Sequence, residues 1–353
     1  MVLATAICLA DGPPPPAPLT WRGMSDASAA AAVDDGHMLT ADDETNSLRL
    51  YRLDGGLPVT TVDLSAWLKT DADHPEADIE GAARVGRRIY WITSHGRNKD
   101  GKYRASRHRF FAVDLDEGTP ATARPAGKPF ADLAMSLVRA PHLQALGLAD
   151  AIGVKDGAMD RSRRKNLAPK DDGFNIEALA ASADGRVLYV GLRNPRPKGP
   201  DGRRRAVVLP LLNAPAVVER GEQPQWGPPL LWDLDGRGLR SMEYIPHRNA
   251  FLLLAGPHDG ENGGALYRWS GDPAQPPARV GELDAALNFS PEALICPASS
   301  AEVLVLSDDG DAEVSVGGPE DCVAGEYLGN GRCLNKHQLP LERRWFRGIR
   351  LTP

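Results

Sequence analysis

Four glutamates stand at corresponding places in a loose repeat: Asp78-Ile79-Glu80, Asn175-Ile176-Glu177, Ser241-Met242-Glu243 and Ser290-Pro291-Glu292. A fifth copy, Asp26-Ala27-Ser28, keeps the leading polar residue and carries serine where the glutamate would stand. Carboxylates gathered in register share protons at raised pKa, pair with arginines, or hold a cation. Two of them about 6 Å apart repel by roughly 3 kcal/mol at an effective dielectric of 20, and a ring of four would cost on the order of ten kcal/mol if all stayed ionised. The residues just past the next apolar run are Asp42 and Asp43, Ser94 and His95, Arg193 and Asn194, Gly256 to His258, and Asp308 and Asp309. Among these, His95 and Arg193 bring positive charge, with Arg240 close in sequence to Glu243. Acid therefore outnumbers base. Ca²⁺, which takes six to eight oxygen ligands, is the natural counter-ion, whereas Mg²⁺ keeps more of its water. The predicted metal ligands are Glu80, Glu177, Glu243 and Glu292. In the competing reading each glutamate braces its own repeat unit through backbone amides and arginines.

With such an ion in place, the chemistry is metal-assisted hydrolysis of a phosphate or carboxylic ester, or of a lactone. Arg193 would orient a small anionic substrate and His95 would serve as general base. The alternative class is a non-catalytic propeller that binds a ligand or a protein through its loops. No Gly-x-Ser-x-Gly elbow and no complete Gly-x-x-x-x-Gly-Lys-Ser/Thr loop supports a serine hydrolase or a nucleotide site. The stretch from Ser94 to Lys102 is a polar loop that offers His95, Arg97 or Lys99 to an anion. Asp71, Asp73, Glu76 and Asp78 form an acidic group that could bind Ca²⁺ at the rim, without EF-hand spacing.

The elements that must position these residues follow one grammar. Each acidic position leads into small or apolar residues, a turn, and an apolar strand such as Ile89–Ile92, Val187–Val190, Phe251–Leu254 or Val303–Leu306. Asp-Gly and Arg-Asn turns between short apolar runs are hairpin signals. Further strands are predicted over 48–53, 59–64, 110–115, 206–212, 230–234, 265–269 and 279–283. A unit of about 50–65 residues with about four strands is the signature of a β-propeller. The fold expected is all-β, with about five four-stranded blades, six being the alternative, and a partly helical insertion at about 120–172. Leu133, Leu137, Leu143 and Leu146 suggest a short helix there. Leu19-Thr20-Trp21 would add an outer strand to the last blade and close the ring. Gly81, Ala82, Ala178 and Ala293 fit the crowded axis where first strands converge, whereas Tyr244 would narrow the channel.

The chain has 353 residues, 42% of them hydrophobic, enough for a sizeable core. Its 36 glycines and 30 prolines suit many short strands joined by turns. We expect one propeller domain over 19–353, and a flexible tail or signal remnant over 1–18 that lacks a basic first region. The net charge of -6 argues against a nucleic-acid partner, and no apolar stretch reaches the ~18 residues of a membrane helix. A monomer is expected. Of the four cysteines, Cys296 reads as a core residue, and Cys322 and Cys333 flank a glycine-rich turn that a disulfide could staple. Such a disulfide favours a periplasmic or secreted location over a cytoplasmic one.

Five strings together resemble a bacterial domain-of-unknown-function family. They are Phe174-Asn175-Ile176-Glu177-Ala178-Leu179-Ala180, Gly191-Leu192-Arg193-Asn194-Pro195, Asp26-Ala27-Ser28-Ala29-Ala30, Ala41-Asp42-Asp43-Glu44 and Arg347-Gly348. Members read Asn-Ile-Glu-Gly-Leu and Gly-Phe-Arg-Asn-Pro, so Ala178 and Leu192 depart from the pattern. The resemblance spans nearly the whole chain, implies a propeller, and assigns no activity. More distantly, the blade-initial glutamates are similar to those of phytase-like esterase propellers and Ca²⁺-dependent lactonase propellers. That similarity implies an axial metal that polarises the substrate.

Overall fold

A computed structural model describes residues 18–116, 118, 122–153, 159–169, 173–257, 263–283 and 289–352. The expectations for the tail and for His258 lie outside the described residues. Short apolar runs punctuated by turns fold into five four-stranded antiparallel sheets. The first sheet holds β2 (Ala29–Ala32), β3 (His37–Ala41), β4 (Ser47–Arg52) and β5 (Thr60–Asp63), following β1 (Leu19–Arg22) in the chain. The second holds β6 (Ile79–Val85), β7 (Arg88–Thr93), β8 (Phe110–Leu115) and β9 (Ala123–Phe130). The third holds β10 (Asn175–Ala181), β11 (Leu188–Asn194), β12 (Ala206–Leu211) and β13 (Leu230–Trp232). The fourth holds β14 (Gly238–Ile245), β15 (Ala250–Gly256), β16 (Gly264–Trp269) and β17 (Ala278–Leu283). The fifth joins β18 (Pro291–Ile295) and β19 (Val303–Ser307) to β23 (Trp345–Leu351), and β1 completes it from the other end of the chain.

First strands pack on first strands: β2 on β6, β6 on β10, β10 on β14, β14 on β18, and β18 back on β2. The sheets are thus blades around one axis, a β-propeller. A sixth sheet exists, but it has three strands, β20 (Glu313–Ser315), β21 (Tyr327–Gly329) and β22 (Arg332–Leu334). It is inserted between β19 and β23, outside the axial ring. Cys322 and Cys333 close it as a disulfide. Apolar clusters fill the spaces between neighbouring blades, as where Leu39 and Leu48 of the first meet Ile79, Trp91 and Phe111 of the second.

The 120–172 segment is corrected in one respect. Its start is β9, the outer strand of the second blade, paired to β8 from Leu115↔Ala123 onward. Pro125 and Pro129 hide it in the sequence, and an outer edge tolerates prolines that a central strand excludes. The expected helix follows as Leu133–Arg139 and a 3₁₀ turn at Pro141–Leu146, with short helices at Leu148–Ile152 and Arg161–Lys165.

Candidate functional site

The register of the first strands positions the ring. The pairing of β6 with β7 breaks between Ile79 and Gly81, that of β10 with β11 between Ile176 and Ala178, and that of β18 with β19 between Pro291 and Ala293. A bulge leaves its extra residue unpaired and bends the strand, and in these three blades that residue is a glutamate: Glu80, Glu177 and Glu292. In β14 the break falls between Leu239 and Ser241. The fourth ring residue is therefore Arg240, and Ser28, just before β2, completes the set. All five line a cavity of about 550 Å³ on the axis.

Glu243 is corrected accordingly. It lies three residues beyond the bulge, paired in the ladder with Leu252, and does not line the cavity. Burial pushes its carboxyl up to about 8. Glutamate chemistry drew the alignment to 243. The small residue after each bulge, Gly81, Ala178, Ser241 or Ala293, would have placed Arg240 correctly. Tyr244 also stays out of the channel, packed on Phe251 with its hydroxyl bonded to Asn249 at 2.7 Å.

His95 is not brought to the cavity either. It is 2% exposed, its Nδ1 lies 2.8 Å from the Thr93 carbonyl, and its ring meets His108 edge-on. Burial drives its pKa down to about 4. Arg193 does reach the cavity, 2.6 Å from Glu177 Oε1.

Two chemically different walls result. On one, Glu177 accepts from Asn175 Nδ2 at 2.8 Å and from Arg193, and Arg240 Nη1 stands 3.1 Å from Glu177 Oε2 and 2.7 Å from Glu292 Oε1. Here the glutamates are paired with arginines, as the competing reading supposed. The opposite wall carries Asp26, Asp43, Asp78 and Glu80. Its guanidinium among the described residues, Arg107, lies 3.0 Å from Asp78 Oδ2 and also pairs with Glu76. Burial, reinforced by neighbouring carboxylates, holds Asp26, Asp43 and Glu80 well above the usual carboxylate range. Asp78 adopts φ 61°, a left-handed conformation that few side chains take, directly before the bulge.

This second wall fits a cation. One ligand oxygen from each of Asp43, Asp78 and Glu80 lies within 4.8 Å of the others, the separation that two oxygens about 2.4 Å from one ion can span. Two more oxygens point to the same demand. Among the described residues, Asp26 Oδ1 and Asn175 Oδ1 are buried without a hydrogen-bond partner, on residues 3% exposed that line the cavity. The donors are hard oxygens, suited to Ca²⁺, Mg²⁺ or Mn²⁺ rather than to metals that favour thiolate or imidazole. Sequence reasoning placed Asp26 and Asp43 beside the repeat without naming them as ligands, and offered Asp78 only in a rim calcium group with Asp71, Asp73 and Glu76. Their adjacency depends on which strand ends meet across blades, which no local spacing reveals.

Among the described residues no helix is long and apolar enough to cross a membrane. A profile of the protein family of unknown function DUF3616 matches residues 26–114 and 154–288, more than half of the chain. No curated protein matches the sequence. Solved structures similar to the chain include glutaminyl cyclase from Myxococcus xanthus (11% identity, TM-score 0.45, 82% of this chain and 89% of that one). A putative oxidoreductase (glucose dehydrogenase) from Thermus thermophilus is 14% identical (TM-score 0.43, 95% and 100% covered). The β-propeller domain of Cps50 (Swd1) from Myceliophteria thermophila is 10% identical (TM-score 0.33, 92% and 83% covered).

Proposed function

The chain belongs to DUF3616, a family of unknown function, and from the axial geometry we propose that it is a Ca²⁺-dependent hydrolase of phosphate or carboxylic esters or lactones. The observation that carries this reading is the convergence of Asp43, Asp78 and Glu80 within 4.8 Å, on a wall where carboxylates outnumber cations. These three residues would hold the ion, with Asp26 and Asn175 beside them. A bound Ca²⁺ supplies Lewis-acid polarisation of a carbonyl or phosphoryl oxygen.

Asp26 takes the role that His95 cannot fill. Its carboxyl is buried in the cavity wall, with Oδ1 unpartnered among the described residues, and a cation on Asp43, Asp78 and Glu80 would favour its ionised form, so that it can accept a proton from the attacking water. Arg193 faces the cavity from the opposite wall, fixed by Glu177, and orients an anionic group of the substrate. Arg240, bridging Glu177 and Glu292, keeps that wall neutral so that the cation is drawn to the other.

The test is a panel of phosphate esters, carboxylic esters and lactones assayed with Ca²⁺ and with a chelator. Turnover should require Ca²⁺, and Asp26→Asn should lower kcat by about 10²- to 10⁴-fold, the usual contribution of a positioned base. Binding of panel members without turnover would assign the chain to the binding class instead.

A further inference from the structure

The disulfide-closed sheet β20–β22 takes no part in the ring, yet it sets what stands over the acidic wall. The chain leaves β22 through Asn335, fully buried, whose amide donates to the carbonyls of Asp309 at 2.9 Å and Trp345 at 2.6 Å. The next residue, Lys336, is pinned by its own N–H to the Gly310 carbonyl at 3.0 Å. Its backbone is thereby held between the insertion and the fifth blade. Its ammonium reaches the cavity, 3.0 Å from Asp311 and 3.4 Å from Glu44.

The cations of the cavity are not equivalent. Arg107, Arg193 and Arg240 each neutralise a carboxylate at least 85% buried: Asp78, Glu177 and Glu292. Drawing one away would strand a buried charge, which is strongly unfavourable, so Arg193 orients a substrate only while it stays on Glu177. The partners of Lys336 are 79% and 41% exposed, and such screened pairs contribute little. An incoming anion can replace them at small cost. Lys336 is therefore a cation that a substrate can claim and, unlike Lys99, an exposed side chain of the same cavity, it is anchored by its backbone beside the acidic wall. Among the described residues the cavity is lined by nine carboxylates and five cations, so a metal ion on the acidic wall favours an incoming anion.

We propose that Lys336 binds the anionic group of the substrate, and that the substrate is an anionic ester rather than a neutral lactone. The inference rests on the cation reading of the acidic wall given above. It also gives the insertion a purpose: to deliver one lysine to the mouth of the channel.

Calorimetric titration of the full chain with phenyl phosphate, and with neutral δ-valerolactone for comparison, tests it. Wild-type protein should bind phenyl phosphate only when loaded with Ca²⁺. Lys336→Gln should weaken that binding by about tenfold, the loss equivalent to one modest charge contact, and Lys336→Arg should restore most of it. Lactone affinity should not change. Calcium affinity should hold or rise in Lys336→Gln, because a competing cation has gone. A parallel fall in calcium affinity would mark a merely structural role and overturn the inference, as would unchanged phenyl phosphate affinity. If wild-type protein takes up no Ca²⁺, the cation reading fails first and the inference with it. If it takes up Ca²⁺ and ignores phenyl phosphate, the inference alone fails.

Discussion

At position 240 an arginine stands among glutamates, and its Nη1 serves two of them at once, 2.7 Å from Glu292 and 3.1 Å from Glu177. Burial raises Glu292 to about 7 even though Arg240 opposes the shift. Removing the guanidinium by Arg240→Gln leaves both carboxylates short of a partner, and the stability loss read by thermal denaturation should be about 3–5 kcal/mol. Glu80 and Glu243 make a sharper pair. Saturating Ca²⁺ at about 100 times Kd should stabilise the wild type by about 2.7 kcal/mol. Glu80→Gln should lose most of that gain and Glu243→Gln should keep all of it. Glu243 has its own signature in pH. Its carboxyl, pushed up to about 8 by burial, keeps a proton in the folded state that the unfolded chain has released. Its contribution to stability is therefore whole at pH below the unfolded value and declines as pH rises from about 4.5 towards 8. The full shift corresponds to about 5 kcal/mol, and the partial solvent access of this side chain trims the expected slope to about 1–2 kcal/mol. Glu243→Gln should flatten the profile by that amount, and an unchanged profile would contradict the assignment.

The strands explain why the ring residues point as they do. Gly81 follows the bulge of β6, and a Cβ there would meet Leu179 at 3.0–3.1 Å and Ile92 at 2.9 Å. The first strands of the second and third blades approach too closely for a side chain. Gly81→Val should cost about 2–3 kcal/mol by overpacking, visible in the denaturation midpoint. Small residues at the axis were legible in the sequence for this reason, as were the hairpins, because apolar runs between turn residues have few other folds. The bulges were not legible beyond the small residue that follows each. An extra residue changes no composition, so the fourth copy was read three positions late and its arginine mistaken for a neighbour of the ring. Nor was β9, whose prolines argue against a strand unless one knows that it lies on an edge. The β20–β22 insertion depends on its disulfide, which closes a short loop between Cys322 and Cys333. Chain entropy assigns such a loop about 3 kcal/mol. Cys333→Ser should accordingly speed amide exchange over 313–338 while the blades keep their protection.

Ring closure belongs to the molecule as a whole. β1 pairs with β23 from Leu19↔Gly348 to Arg22↔Trp345, so the start of the ring seals its end. Trp21 is fully buried, stacked on Phe346 at 5.2 Å, with its indole N–H on the Arg52 carbonyl at 2.7 Å. Trp21→Ala should cost about 3–5 kcal/mol and open the fifth blade first. Closure could be anticipated from Leu19-Thr20-Trp21 because an apolar run ahead of the first repeat has no partner within its own unit. The division of the cavity into two walls could not. It arises only when five strand ends from distant parts of the chain are brought around one axis, which gives one side its arginines and leaves the other acidic. That division is the centre of the account, and a crystal structure of the protein grown with Ca²⁺ measures it most directly. The ion should lie among Asp43, Asp78 and Glu80, with oxygens about 2.3–2.6 Å away. A cavity with no ion on that wall, or an ion held by Glu177 and Glu292 instead, would contradict it.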